Sequence, residues 1–165
     1  MSITEILFRL GITTFVQDII TVLPATASTN FQVGKNLPTD VGFVYGLSTY
    51  ADGLDPDGNT LITTTQAQGI YLTLQNGATQ FLAQLRMDDL LNAYAGSPVV
   101  RPDKFTPVNI PLFDLSKSFY QNPNNYSSAI VQTSIRLKLW YIQREVFEKL
   151  ENDKFFKYYM AMQRK

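Results

Sequence analysis

The apolar positions of this chain change period twice. Over the first 24 residues Ile3, Leu7, Leu10, Phe15, Ile19 and Val22 recur at helical spacing, opposite a polar stripe of Glu5, Arg9, Thr13 and Gln17. This pattern predicts an amphipathic helix. Ser2 and Glu5 have the S-x-x-E spacing of a capping box, and Pro24 ends the element. Gly11 costs about 1 kcal/mol of helix propensity against Ala and marks where such a helix would break. From about residue 30 to 142 the period becomes two. Val41, Phe43, Tyr45 and Leu47 alternate with Gly42, Val44, Gly46 and Ser48; Ile70, Leu72 and Leu74 alternate with Tyr71 and Thr73; Phe81, Ala83 and Leu85 follow suit. The longest run, 127–141, sets Ala129, Val131, Ile135, Leu137 and Leu139 on one face. Gln132, Ser134, Arg136 and Lys138 take the other, which begins at Ile130 and ends in Trp140. Shorter runs at 30–33, 60–64 and 108–112 complete seven or eight strands. After Tyr141 the 3.6 period returns through Val146, Phe147, Leu150 and Phe155, which predicts a second helix over 143–160.

Turn chemistry separates the strands at Lys35-Asn36-Leu37-Pro38, Asp55-Pro56-Asp57-Gly58-Asn59, Asn76-Gly77 and Gln121-Asn122-Pro123-Asn124-Asn125. Asn76-Gly77 is the strongest of these, because a type I′ hairpin turn needs two residues tolerant of positive φ. Segments 88–94 and 112–120 read as short helical or irregular connections. Short strands punctuated in this way predict an antiparallel β-sandwich of about eight strands, not βαβ units. The expected organisation is an N-terminal helix or arm over 1–29, a β-sandwich over 30–142, and a C-terminal helix with a basic aromatic tail over 143–165.

Composition narrows the chemistry. In 165 residues there is no histidine and no cysteine. Thiol nucleophiles, Ser-His-Asp triads, Cys/His zinc sites, haem ligation by His and disulfides are all excluded. Charged residues make up only 17%, below the usual quarter, while aromatics reach 13%. Such a surface suits coverage by partners. Ala25-Thr26-Ala27 resembles a leader cleavage site, but Glu5 precedes Arg9, and Gln17 and Asp18 interrupt the apolar run, against the pattern of a signal peptide. No stretch has the 18 or more apolar residues of a membrane-spanning helix.

Few motifs suggest catalysis. Asp55-Pro56-Asp57-Gly58-Asn59 begins like a calcium loop, but Thr60 stands where an EF-hand needs Gly and Gln66 where it needs a bidentate Glu. A polar turn explains the same residues. Asp88-Asp89 point apart as sequence neighbours and fit a helix N-terminus better than an acid–base pair. Ser116-Lys117 is a weak nucleophilic dyad. Phosphate-loop, dinucleotide and hydrolase motifs are missing. The expectation is a non-enzyme with neither metal nor cofactor. The zero net charge hides a split: residues 1–134 carry 6 basic and 10 acidic side chains, and residues 135–165 carry 8 and 4. Within the basic end lie Phe155, Phe156, Tyr158, Tyr159, Met160 and Met162. Docking of these aromatics on the domain or a neighbouring subunit is favoured over contact with nucleic acid or lipid. Trp140, Phe147, Phe155, Phe156, Tyr158 and Tyr159 are the candidate interface anchors, and Lys154, Lys157, Arg164 and Lys165 the candidate contacts to an anionic partner.

The stretches 43–49, 69–74 and 129–141, with the loop Leu112-Phe-Asp-Leu-Ser-Lys-Ser-Phe-Tyr120, carry a resemblance. In organisation the chain looks like the single jelly-roll structural proteins of tailless icosahedral viruses, especially penton proteins at the five-fold vertices of membrane-containing bacteriophages. The resemblance implies a capsid protein in the virion: a pentamer or other assembly of copies, contacts with other capsid proteins, and terminal segments turned toward membrane or genome. It transfers no individual functional residue, and the long C-terminal helix is not a required feature of that family. The alternative is a carbohydrate- or surface-binding sandwich of lectin or adhesin type. There Tyr45, Tyr50, Tyr71 and Tyr94 would form a sugar platform and the Asp55 loop would hold calcium.

Overall fold

The eleven residues of β3 (Val41–Ala51) are buried without exception, so both faces of their sheet are covered. A computed structural model describes residues 2–27, 29–33, 38–77, 80–94, 105–111, 114–124, 126–128 and 130–163. It shows a mainly β chain with two sheets. In the first, β1 (Phe15–Val22) pairs with β10 (Thr133–Gln143), β10 with β3, and β3 with both β7 (Leu91–Tyr94) and β8 (Thr106–Pro111). In the second, the order is β2 (Asn30–Gln32), β9 (Phe119–Gln121), β5 (Tyr71–Asn76) and β6 (Gln80–Arg86). Most pairs are antiparallel; β3 with β7, and β10 with the two-residue β4 (Thr60–Leu61), are parallel. Ile19, Leu47, Leu72, Tyr120, Ile135 and Leu137 fill the space between the sheets, as sandwich packing requires.

The outer face of the first sheet carries a second core. Phe43, Tyr45, Trp140 and Ile142 point outward and are covered by α1 (Ile3–Arg9), α3 (Arg144–Leu150) and α4 (Lys154–Gln163). Phe43 stacks on Phe147 at 5.2 Å and meets Phe156 edge-on at 5.7 Å. The protein therefore has three layers: sheet, sheet, helices. Burial on both sides of β3 and β10 follows from this arrangement.

Five expectations need correction. The helix predicted over the first 24 residues is only seven residues long; Gly11, at φ 67°, ends it, and Phe15–Val22 forms a sheet strand instead. Ile19, Ile20, Thr21 and Val22 are β-branched, and that preference outweighs the helical spacing. The sandwich thus begins at residue 15, not 30. Ser2 does accept the Glu5 amide at 3.2 Å, but the Glu5 side chain turns to Arg9. Second, the strand expected from 127 starts at Thr133, because Ser127 and Ser128 hydroxyls take the amides of Thr133, Ile130 and Val131 and hold a loop. Third, the 60–64 run yields two strand residues and then α2 (Thr64–Ala67), capped reciprocally by Thr63 and Gln66. Fourth, the C-terminal helix is two helices. Asp153 accepts the amides of Phe155 and Phe156, both at 2.9 Å, and starts α4 afresh. The hairpin at Gly77 is present, with φ 60° there, but Asn76 pairs with Gln80, so the connection has three residues and not two. The turn at Lys35-Asn36-Leu37 and residue Ala129 lie outside the described residues.

Candidate functional site: the helical layer

Of the six aromatic anchors expected from the sequence, five lie in this layer and Trp140 lies on β10 beneath it; they divide into two sets. Trp140, Phe147, Phe156 and Tyr159 are buried against α1 and the sheet, so they are contacts within the chain and not free surface. Phe155 and Tyr158 are 45% and 66% exposed. With Met162, 49% exposed, they follow i, i+3, i+7 spacing and form one ridge along the outer side of α4. Lys154 and Lys157 are exposed beside it; Arg164 and Lys165 lie outside the described residues. Phe8 of α1, 85% exposed, adds another apolar side chain on the same layer.

Between α3 and α4 runs a groove of about 300 Å³ lined by Pro111, Phe147, Glu151, Phe156, Lys157, Met160 and Ala161. A second, more polar recess of about 430 Å³ shares Pro111, Phe147 and Glu151 with it and adds Gly42, Asn76, Gln80, Arg144 and Glu148. The two join along α3. Gly42 is needed where the helix meets the sheet, since a Cβ there would lie 2.5 Å from the Arg144 Cα.

The Asp55 loop is internally saturated. Oδ1 accepts the amides of Asp57 (2.9 Å) and Asn59 (2.8 Å); Oδ2 accepts the Asn59 side-chain amide (2.9 Å) and the Ser134 hydroxyl (2.8 Å). Burial pushes this carboxyl up, and the hydrogen bonds from Asn59, Ser134 and Asp57 outweigh it, leaving it below the usual carboxylate range. With its acceptor positions filled, Asp55 organises a turn and does not present itself to a cation. Among the described residues no cluster of three or more acidic side chains is placed to hold a metal.

Other residues singled out by sequence are dispersed. Tyr45 and Tyr50 are buried and Tyr71 partly so, and the Tyr94 side chain lies outside the description, so a sugar platform is not brought together. Asp88 bonds to Arg86 on a single 3-10 turn. Ser116 and Lys117 stand exposed on another turn, capped by Asp114 at 2.9 Å. Sequence reasoning passed over Asp18, which takes the Arg136 Nε at 3.0 Å; Arg136 also lies 4.4 Å from the Tyr50 ring centroid, and Lys138 donates to the Tyr50 hydroxyl at 3.0 Å. The register of β1 against β10 would have exposed this cluster, but β1 was read as helix. Among the described residues no helix is long and apolar enough to cross a membrane. Comparison with family models, with curated proteins and with solved structures finds no match to this chain.

Proposed function

We propose that the chain is a non-enzymatic virion structural protein, a capsid vertex (penton) or minor capsid subunit built on a single jelly roll. One observation carries the reading. With the short β4 and β7 set aside, eight strands remain, and they pair first with last (β1·β10), second with seventh (β2·β9), third with sixth (β3·β8) and fourth with fifth (β5·β6). Such nested pairing is what a long antiparallel ribbon produces when it rolls up, bringing β10 beside β3 and β9 beside β5. A jelly roll of this kind is a recurrent building block of viral shells. The helical layer gives the subunit one face unlike its other, which suits a shell with an inside and an outside. The low charge fraction suits contacts whose cores are depleted of charge.

Light scattering on the full chain after size exclusion, with negative-stain imaging, tests the proposal. A closed ring of copies or a larger shell-like assembly is expected, since head-to-tail contacts close when the rotation fits. A chain that stays monomeric at high concentration overturns it.

A further inference from the structure

We propose that the outer face of the second sheet binds a neutral, polyhydroxylated ligand, a glycan chain laid across the strands. The proposal goes beyond the capsid reading and does not rest on it. The helical layer lies on the first sheet. On the second, the alternation that turns Leu72, Leu74 and Tyr120 into the core turns their neighbours out. Register aligns these neighbours in rows. Gln32, Phe119, Thr73 and Gln84 stand side by side on β2, β9, β5 and β6, and Asn30, Gln121, Tyr71 and Arg86 form the next row. Gln75 beside Phe81 begins a third. Four strands make the strip about 14 Å wide.

The chemistry of the strip selects its occupant. Of these ten side chains five are amides and three are aromatic, and only Arg86 is charged, its Nε bonded to Asp88 at 2.9 Å. The central amides are fixed in place: Gln121 Oε1 accepts from the Thr73 hydroxyl at 3.1 Å and from the Gln84 side-chain amide. With its oxygen twice bonded, Gln121 keeps its Nε2 hydrogens to donate, and Gln84 keeps its Oε1 to accept. A hydroxyl group meets both needs, since it accepts and donates at once. Tyr71 stands beside Gln121 and Phe119 beside Thr73, both part-exposed, and Phe81 is 62% exposed, so apolar ring surface for the C–H face of a sugar flanks the amides. Tyr71 belongs to the strip; Tyr45, Tyr50 and Tyr94, on β3 and β7, do not. An anionic bilayer or nucleic acid needs free cations, but Arg86 is held by Asp88, and Lys117, on the turn before β9, is matched by Asp114. A protein partner would have to bond these amides one by one or leave them buried and unpaired, at a cost for each.

Array binding of the full chain, followed by calorimetry with the oligosaccharide that binds, tests the proposal. The probes are neutral glucan, mannan, galactan and N-acetylglucosamine oligomers, with heparin and single-stranded DNA as anionic counterparts. Binding to a neutral oligomer is expected, with an affinity unchanged between low salt and roughly 0.5 M, since no ion pair forms. Tyr71→Ala should weaken it about tenfold, the scale of one aromatic contact. Gln84→Ala, at an exposed position that leaves the fold intact, should weaken it about fivefold, the scale of one hydrogen bond. Tyr158→Ala, on α4, should leave it unchanged, and the melting temperature of each variant separates lost binding from lost folding. No neutral oligomer bound, binding lost equally in Tyr158→Ala, or binding only to heparin or DNA overturns the proposal. An oligomer that Tyr71→Ala dissolves, with no glycan bound, overturns it in favour of a second copy. Glycan bound by a chain that stays monomeric leaves this site standing and refutes the capsid reading; rings or shells that bind no neutral oligomer do the reverse.

Discussion

Replacing Asp55 with alanine removes the acceptor of four hydrogen bonds at once. Three donors, the Asp57 and Asn59 amides and the Asn59 side chain, lie at a turn where water can substitute, so their loss costs little. The Ser134 hydroxyl cannot be rescued in that way, because Ser134 is fully buried in β10. Leaving a buried donor unsatisfied costs about 1–3 kcal/mol, and each bond to an ionised acceptor contributes about 1.5–3 kcal/mol net. Asp55→Ala should therefore lower unfolding free energy by about 2–4 kcal/mol, read by urea denaturation with Trp140, the single tryptophan, as fluorophore. Asp55→Asn keeps the shape but turns one acceptor into a donor facing Asn59, and should cost about 1–2 kcal/mol. The pH dependence gives a second readout. A carboxyl held below its unfolded pKa of about 3.9 stabilises the fold above that value and loses the contribution as pH falls through the lower, folded one. The gap between wild type and Asp55→Asn should thus be full at pH 5–7 and shrink below about pH 4. A gap that persists at pH 2–3, or a wild-type melting temperature raised by millimolar calcium, would refute the argument that protein donors saturate this carboxylate.

Two further substitutions probe the helical layer. Phe156→Ala should destabilise the fold by about 3–5 kcal/mol, as expected for a buried aromatic that touches Phe43 and Phe147, whereas Phe155→Ser should change monomer stability by less than about 0.5 kcal/mol. Gly46→Ala places a Cβ 2.4 Å from the Phe105 ring, which packs 5.1 Å from Trp140; it should cost about 1–3 kcal/mol and shift the tryptophan emission. Adding Phe105→Ala should recover part of that loss, a non-additivity measurable by the same urea titration.

The sandwich strands were legible wherever one face meets the other sheet, because period-two alternation survives there: Leu72 and Leu74 face inward as read, and Ile135, Leu137 and Leu139 share one face. The three-layer arrangement was not. A strand buried on both faces, such as β3, still alternates in residue size through Gly42 and Gly46, and alternation by itself does not say that the small positions are buried under a helix and the Phe105 ring. At β1 two periods fitted the same residues, and propensity decided for the strand. Thr63-x-x-Gln66 spelled a capping box, yet Gln66 was weighed only as a failed calcium ligand.

The aromatic pairs of α4 show why the candidate site was only half readable. Phe155 with Tyr158 and Phe156 with Tyr159 are both i, i+3 pairs, so periodicity gives two equivalent stripes and no choice between them. The choice comes from the bend after α3. Asp153 caps the new helix at Phe155 and Phe156, and the restart turns Phe156 onto Phe147, 6.2 Å away, and onto Phe43. That leaves Phe155 and Tyr158 outward, on the stripe about 100° round the helix from the one that faces the sheet. A sequence that needed only to cover its own sheet would carry polar residues on the second stripe, as the outer side of α3 does with Glu145 and Glu148. Keeping aromatics on two neighbouring stripes of α4 is therefore more than covering its own sheet requires.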